Sequence, residues 1–408
     1  MKILFVAPRL PYPADTGGKI RTLNILKQIK KFANVHLACF SFEKNDPPMA
    51  MALEKSLEVP VTLMPMHKFG IRDKIHGVLF NPAPISIFKY CFKPMERILL
   101  ALNEKENFDA VHIDHLHMAY YHFCFAALPS VLDEHNVEYR ILERCAAVER
   151  SVLKKKIYQE QALKMKMFER KAIKTFSACL TVSQGDKDML MDLAKGKAEV
   201  EVVPNGVDTG YFSSHIPHPT SHIPHPSSHV EDALVFTGSM DWLPNEDSVV
   251  YFVKEILPLI WQVKSGVKFY IVGKNPSSKV RHLSRDQRII VTGGVDDVRP
   301  YMERSKVFVV PLRIGGGTRL NILEAMSMQM AVVSTSIGAE GIAYTKEENI
   351  TIADAPQEFA KNVFSLIDDQ NRAVQLGQKG RALVCEKYDW NIIGKKLNGI
   401  YGGIITKR

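Results

Sequence analysis

Within VFVVPLRIGGGTRLNILEAMSMQMAVVST (307–335), three glycines, Gly315, Gly316 and Gly317, lead into Thr318, Arg319 and Leu320, and Glu324 stands five positions after the arginine. Glycine lets a ligand come close to the backbone. A helix opened by Thr318 and Arg319 offers free N–H groups and the positive end of its dipole, a setting for a phosphate. Arg319 adds a fixed cationic fork. Glu324, between one and two turns into that helix, is placed to accept hydrogen bonds from sugar hydroxyls. Strand, glycine turn, arginine and carboxylate in this order point to a ligand that carries both phosphate and sugar.

Three other turns suit the same ligand. In FVAPRLPYPADTGGKIRTLNIL (5–26), Pro8, Pro11 and Pro13 stiffen a loop that ends in Gly17 and Gly18, and a helix follows. Positive φ or close ligand approach is open to such glycines. No GxGxxG occurs, so this is not the dinucleotide fingerprint. Gly238 follows a strand in VFTGSMDWLPNEDSV (235–249), with a helix after Pro244. Gly293 and Gly294 close another strand in VTGGVDDVRPYM (291–302), where backbone groups of Val295 can read a base edge.

Parallel strands must carry these turns. Apolar β-rich runs occur at 2–7, 34–40, 109–113, 130–133, 178–183 and 199–203. The series restarts at 233–238, 267–272, 288–293, 307–311 and 331–335. Helix-length segments separate them, which predicts α/β structure with parallel sheets covered on both faces. Two series in 408 residues predict two doubly wound domains. Between them, SSHIPHPTSHIPHPSSHVE (213–231) repeats SHIPHP and holds five of the fourteen histidines, a composition that builds no core and reads as a surface loop or linker. Residues 138–174 contain no glycine or proline, eleven basic residues and five acidic ones, which predicts one long, basic, amphipathic helical region. Such a region is either a solvated face or a patch that meets anionic lipid.

Composition narrows the classes. No run of about 18 uncharged apolar residues is present, so no membrane-spanning helix is expected. The opening MKILFVAPRLPYP lacks the apolar core and cleavage site of a signal peptide. Six scattered cysteines without a CxxC pair read as reduced residues of a cytoplasmic protein. The net charge of +9 suits a phosphorylated small molecule or an anionic membrane. No zinc-finger spacing and no basic–aromatic RNA motif accompany it, so no nucleic-acid partner is expected.

These residues together resemble the retaining GT-B glycosyltransferases of family 4, over nearly the whole chain. PYPADTGGKIRTLNIL resembles the family's N-terminal glycine loop, VVPNGVDTGYF (202–212) its domain-junction segment, GGGTRLNILEAMSMQMAVVST its nucleotide-diphosphate helix, and YDW (388–390) its C-terminal signature. FTGSMDWLPNEDSV with GGGTRLNILEAM resembles a branch that serves exopolysaccharide systems. The resemblance implies two Rossmann-like domains facing a cleft: an acceptor-side domain over 1–205 and a nucleotide-sugar domain over 206–390. The last helix, about 391–408, packs back on the first. It implies a UDP- or GDP-linked sugar as donor, a saccharide or lipid-linked acceptor, no metal and no cofactor, and a place in the cytoplasm or on the inner face of the plasma membrane.

The family's active-site histidine best matches His135 in SVLDEHNVEYR, and His115 and His117 in VHIDHLHMAY fall in another loop of the implied cleft. The nucleotide-sugar contacts carried over are Gly17, Gly18, Gly238, Val295, Gly316, Gly317, Thr318, Arg319, Leu320 and Glu324. Two departures stand out. The first of the family's paired glutamates falls at Gly316, and its diphosphate-gripping arginine and lysine fall near Ser239 and Asn245. Arg319 and Arg313 are then left to carry that charge. The departures leave two alternatives beside a transferase: a noncatalytic scaffold of the same fold, and a non-hydrolysing nucleotide-sugar epimerase.

Overall fold

A computed structural model describes residues 1–66, 69–149, 151–213, 231–314 and 318–406. The chain divides into two compact units, Met1–Pro204 with Ile393–Arg408, and Asn205–Ile392. Each is built on one parallel sheet.

The first sheet holds β1 (Lys2–Ala7), β2 (Asn34–Ser41), β3 (Val61–Pro65), β4 (Ala110–Asp114), β5 (Ser130–Glu134), β6 (Ala178–Thr181) and β7 (Val200–Val202), in the order β3-β2-β1-β4-β5-β6-β7. Ile3 of β1 sits beside Val35 of β2 and Ala110 of β4. The second holds β8 (Glu231–Thr237), β9 (Lys268–Val272), β10 (Ile289–Gly293), β11 (Ser305–Val310), β12 (Ala331–Ser334) and β13 (Thr351–Ile352), in the order β10-β9-β8-β11-β12-β13. In both, strand order reverses between the first strand and the fourth. At such a switch point the following loops diverge to opposite faces and leave a crevice at the strands' carboxyl ends.

The strands read as continuous apolar runs because both faces are covered. Along β8, Leu234 and Phe236 pack into one core cluster while Ala233 and Val235 pack into another, as the two-residue period of a strand requires. Two strands carry no such signal. β3 is only partly buried along VTLM, and β13 is two residues long.

The helical stretch 138–174 forms an antiparallel pair. Helix α1 (Gly17–Lys30) lies earlier in the chain; the pair is α2 (Glu138–Val148) and α3 (Val152–Thr175). The Glu169 carboxylate on α3 accepts from the backbone N–H groups of Glu138 and Tyr139, at 2.9 and 3.1 Å, and so caps the start of α2. Lys166 of α3 lies over the Tyr139 ring at 5.0 Å. Tertiary contacts therefore fold back a stretch that contains no residue that breaks a helix by itself.

Two motifs distant in sequence meet in the second unit. The Val207 N–H donates to the Tyr388 carbonyl at 2.8 Å, and the Thr209 hydroxyl donates to the Asp389 carboxylate. Helices α4 (Leu243–Tyr251) and α5 (Leu320–Ser327) belong to this unit, and α6 (Trp390–Thr406) ends the chain. The later part of α6 completes the first unit: Tyr401 is fully buried and its hydroxyl lies 2.7 Å from His112 Nδ1 on β4. All six cysteines are free, and among the described residues no helix is long and apolar enough to cross a membrane.

Candidate active site

At the second sheet's switch point, β8 and β11 deliver their loops side by side. Gly238 follows β8 with a φ of 157°, and a Cβ there would stand 2.7 Å from Asn245 Nδ2. Asn245 instead donates to the Ser239 carbonyl at 2.9 Å, while the Ser239 hydroxyl donates to Asp241 at 2.6 Å. Ser239 and Asn245 therefore spend their polar groups on holding this loop. The Asn321 side chain donates to the Thr237 carbonyl at 2.8 Å, which pins the start of α5 to the end of β8.

Arg319 immediately precedes α5, and Leu320 is the helix's first residue, so the helix starts two positions later than the sequence reading placed it. Thr318 is buried, with its hydroxyl turned toward the Gly341 carbonyl. Arg319 is different. Its Nε and Nη2 are buried with no hydrogen-bond partner among the described residues, and burial lowers its pKa against the pull of Glu340. A guanidinium fork in this state lacks an anion. Glu324 is half-buried one turn further, and burial pushes its carboxyl up to about 7. Arg313 is committed elsewhere: its Nε and Nη2 grip Asp247 at 3.1 and 2.7 Å, so it is not a spare cation for a diphosphate. Val295 packs its side chain against the second unit's core. Gly316 and Gly317, with Gly315, lie outside the described residues.

At the first sheet's switch point, Gly17 and Gly18 form the first turn of α1 rather than a loop ahead of it, and neither has positive φ. Their use is space. A Cβ on Gly17 would meet nothing within 4 Å, and one on Gly18 would lie 3.7 Å from His115 Nε2.

Facing this turn is a dense charged network. Arg21 on α1 grips Asp133 of β5 with both ends of its fork, at 3.1 and 2.6 Å, and both residues are fully buried. Asp114, the last residue of β4, accepts from the Thr22 hydroxyl at 2.9 Å and lies 2.7 Å from His115 Nδ1 and 2.9 Å from His135 Nε2. The two imidazole centroids lie 3.5 Å apart, with the ring planes tilted by 32°. His115 holds a φ of 67° with a ψ of 142°, a positive-φ conformation that costs a non-glycine residue about 1–3 kcal/mol. Its partners keep it there: its N–H donates to the Asp133 carbonyl at 2.9 Å.

These partners divide the protons. Burial opposes a charge on His115, but Asp114 outweighs it and raises the pKa; burial and the neighbouring His115 lower that of His135. Burial also drives His117 down to about 3, so it stays neutral. Asp114 is held well below the usual carboxylate range, its burial overcome by the two histidines. Asp114, His115 and His135 bring one ligand atom each within 4.8 Å of one another, a spacing a divalent ion can bridge; here hydrogen bonds join them instead.

The sequence reading included His135, His115 and His117 but missed Asp114, Asp133, Arg21 and Thr22. One signal was available. VHID and VLDE each place a carboxylate at the carboxyl end of a buried strand, where an open parallel sheet binds its ligand.

Two parallel-sheet units of this strand order have the GT-B architecture. Residues 22–211 match the family described as Glycosyltransferase Family 4, and residues 231–369 match that described as Glycosyl transferases group 1. The chain thus carries the two domains of a glycosyltransferase. It is 21% identical to an uncharacterized 44.6 kDa protein in the cps region of Klebsiella pneumoniae, over 95% of this chain and 96% of that one. About half of it, 49%, is 25% identical to 55% of a GDP-mannose-dependent phosphatidylinositol monomannoside mannosyltransferase of Mycobacterium tuberculosis. Among solved structures, sucrose-phosphate synthase from Thermosynechococcus elongatus superposes with a TM-score of 0.71 at 14% identity over 100% of both chains. Anabaena HepE in complex with UDP gives 0.66 at 14% identity, over 99% of this chain and 100% of that one.

Proposed function

We propose that this glycosyltransferase moves a sugar from a UDP- or GDP-linked donor to a saccharide or lipid-linked acceptor with retention of configuration, in the synthesis of an exopolysaccharide or cell-envelope glycan. The observation that carries the donor half is the orphaned Arg319 fork beside the start of α5, with the Glu324 carboxyl one turn on. A diphosphate satisfies the fork with two charge-assisted hydrogen bonds. Ribose hydroxyls satisfy the carboxylate. Gly238 closes β8 without a Cβ where the phosphates would sit, and Val295 follows the end of β10 for the base. The reading is of a metal-independent reaction, in which Arg319 and backbone N–H groups stabilise the leaving diphosphate.

His135 serves the sugar in this reading. It orients the donor and stabilises charge near the anomeric carbon, an interaction realised mainly in the transition state. The acceptor hydroxyl passes its proton toward the departing phosphate oxygen on the same face of the sugar. Asp114 fixes the imidazole's direction. The choice between UDP and GDP rests open on two relatives, one described with UDP and one as GDP-mannose-dependent. The capsule-region relative supports the polysaccharide role.

Incubation with a panel of radiolabelled UDP- and GDP-sugars tests the reading. Transfer or slow hydrolysis of one donor, with a product whose anomeric NMR coupling matches that donor, is the expected result. An inverted product refutes retention, and an epimerised donor refutes transfer. A scaffold without catalysis is the second reading, favoured by the loop-holding roles of Ser239 and Asn245 where the resemblance expects cations. It predicts nucleotide binding with no turnover of any donor.

A further inference from the structure

The start of α3 is free of the first unit's core. Residues 151–157 are exposed on every side of the helix, and Val152 and Leu153 are each 71% exposed. Lys154, Lys155 and Lys156 follow directly, with no acidic partner among the described residues. Further along α3, Leu163 and Met167 are 62% and 67% exposed. They share one outward stripe with Val152, Lys156 and Arg170, because steps of three, four and seven return to the same face of a helix. The inward stripe is separate and includes Ala162, Met165, Glu169 and Ile173.

Charge on the outward side is uncompensated. The α3 sequence VLKKKIYQEQALKMKMFERKAIKT carries eight basic residues and two acidic ones. Glu160 is paired with Lys164 at 2.5 Å, and Glu169 is buried under the start of α2. A merely solvated basic helix has no use for four large apolar side chains on its outer surface. A polyanion would be met by the lysines alone. Apolar residues at a tip, with a ring of lysines directly behind them, match the depth profile of a lipid surface: acyl chains outermost, then anionic headgroups.

We infer that the α2–α3 hairpin docks on an anionic bilayer, with Val152 and Leu153 entering the acyl boundary and Lys154, Lys155 and Lys156 at the headgroups. The inference stands apart from the transferase reading, because its readout involves no sugar. Full-length protein is sedimented with vesicles of phosphatidylcholine alone or mixed with phosphatidylglycerol. Binding to the mixed vesicles alone is expected, fading as salt is raised, since screening acts over ~10 Å at 0.1 M.

Replacing all three lysines (Lys154→Gln, Lys155→Gln, Lys156→Gln) should weaken binding on the order of 100-fold, each counting for roughly fivefold near an anionic surface. Val152→Ser with Leu153→Ser should remove the part of the binding that survives high salt. Both variants change exposed side chains, so thermal unfolding should match that of wild type and confirm an intact fold. Equal binding to neutral and anionic vesicles, no binding to either, or wild-type binding by the lysine variant each overturns the inference. A concentration-dependent dimer abolished by the same variants, without vesicle binding, would assign the surface to a second copy of this chain instead.

Discussion

The two switch points hold charge in opposite ways. In the first unit the strand-end charges already have protein partners: Arg21 with Asp133, and Asp114 with Thr22, His115 and His135. In the second, the Arg319 Nε and Nη2 are buried without a partner among the described residues, and burial alone moves the Glu324 carboxyl to about 7. Buried polar groups are nearly always hydrogen-bonded, so an internally complete cluster is finished architecture and an incomplete one awaits a ligand. The charges of the first cluster are paired within the unit; the proposed reading has a bound nucleotide complete the second.

The sharpest way to break this comparison is to remove one arginine from each side. Arg21→Ala leaves the Asp133 charge buried and should cost about 3–5 kcal/mol of stability in denaturant unfolding. Arg319→Ala removes a group whose Nε and Nη2 have no partner among the described residues, and should cost less than about 1 kcal/mol by the same measure. Equal losses would erase the distinction.

The second effect in size concerns turnover. His135→Ala should lower kcat by about 100-fold, as for the loss of one oriented polar group, with little change in nucleotide affinity. A variant with normal turnover would remove His135 from the chemistry. The third concerns binding itself. Arg319→Ala should weaken UDP or GDP, whichever is preferred, by about 1.5–3 kcal/mol in calorimetry. Unchanged affinity for both would leave the orphaned fork without a ligand.

The smallest effect depends on pH. The Glu324 carboxyl titrates near 7 in the folded protein, above the ordinary value of about 4.3. The unliganded protein therefore draws stability from its protonated form, present in full below the ordinary value and lost as pH rises through 7. A nucleoside diphosphate needs the ionised form to accept its hydroxyls, so its affinity should fall toward tenfold per pH unit below about 7 and level off above it. Glu324→Gln should flatten that profile, and pyrophosphate should bind with the same pH dependence to both proteins. A slope that survives the substitution belongs to another group.

Much of the fold was legible because its strands are buried on both faces and so stand out as apolar runs bounded by turn residues. β3 escaped because VTLMP lies at the sheet edge, where partial burial dilutes the pattern. The break in 138–174 escaped because a contact that holds it, Glu169 capping α2, lies eighteen to twenty residues from the turn. At the sites, glycine turns and the Arg319–Glu324 spacing were legible as local motifs. The Arg21–Asp133 and Thr22–Asp114 links were not. Each joins α1 to a strand about a hundred positions later, and neither partner is unusual in its own neighbourhood.

The final helix sets a condition on how the protein is made. Tyr401 reaches His112 across 289 positions, and Gly394 comes so close to Gln28 that a Cβ would stand 2.4 Å from its amide oxygen. The first unit is thus the first to leave the ribosome and the last to be finished. Until residues 393–406 are synthesised, His112 on β4 waits without its hydroxyl partner while the whole second unit forms. A stop codon in place of Ile393 would spare the later domain and wound the earlier one, and a nascent chain stalled there should be more open to protease in its first half than in its second.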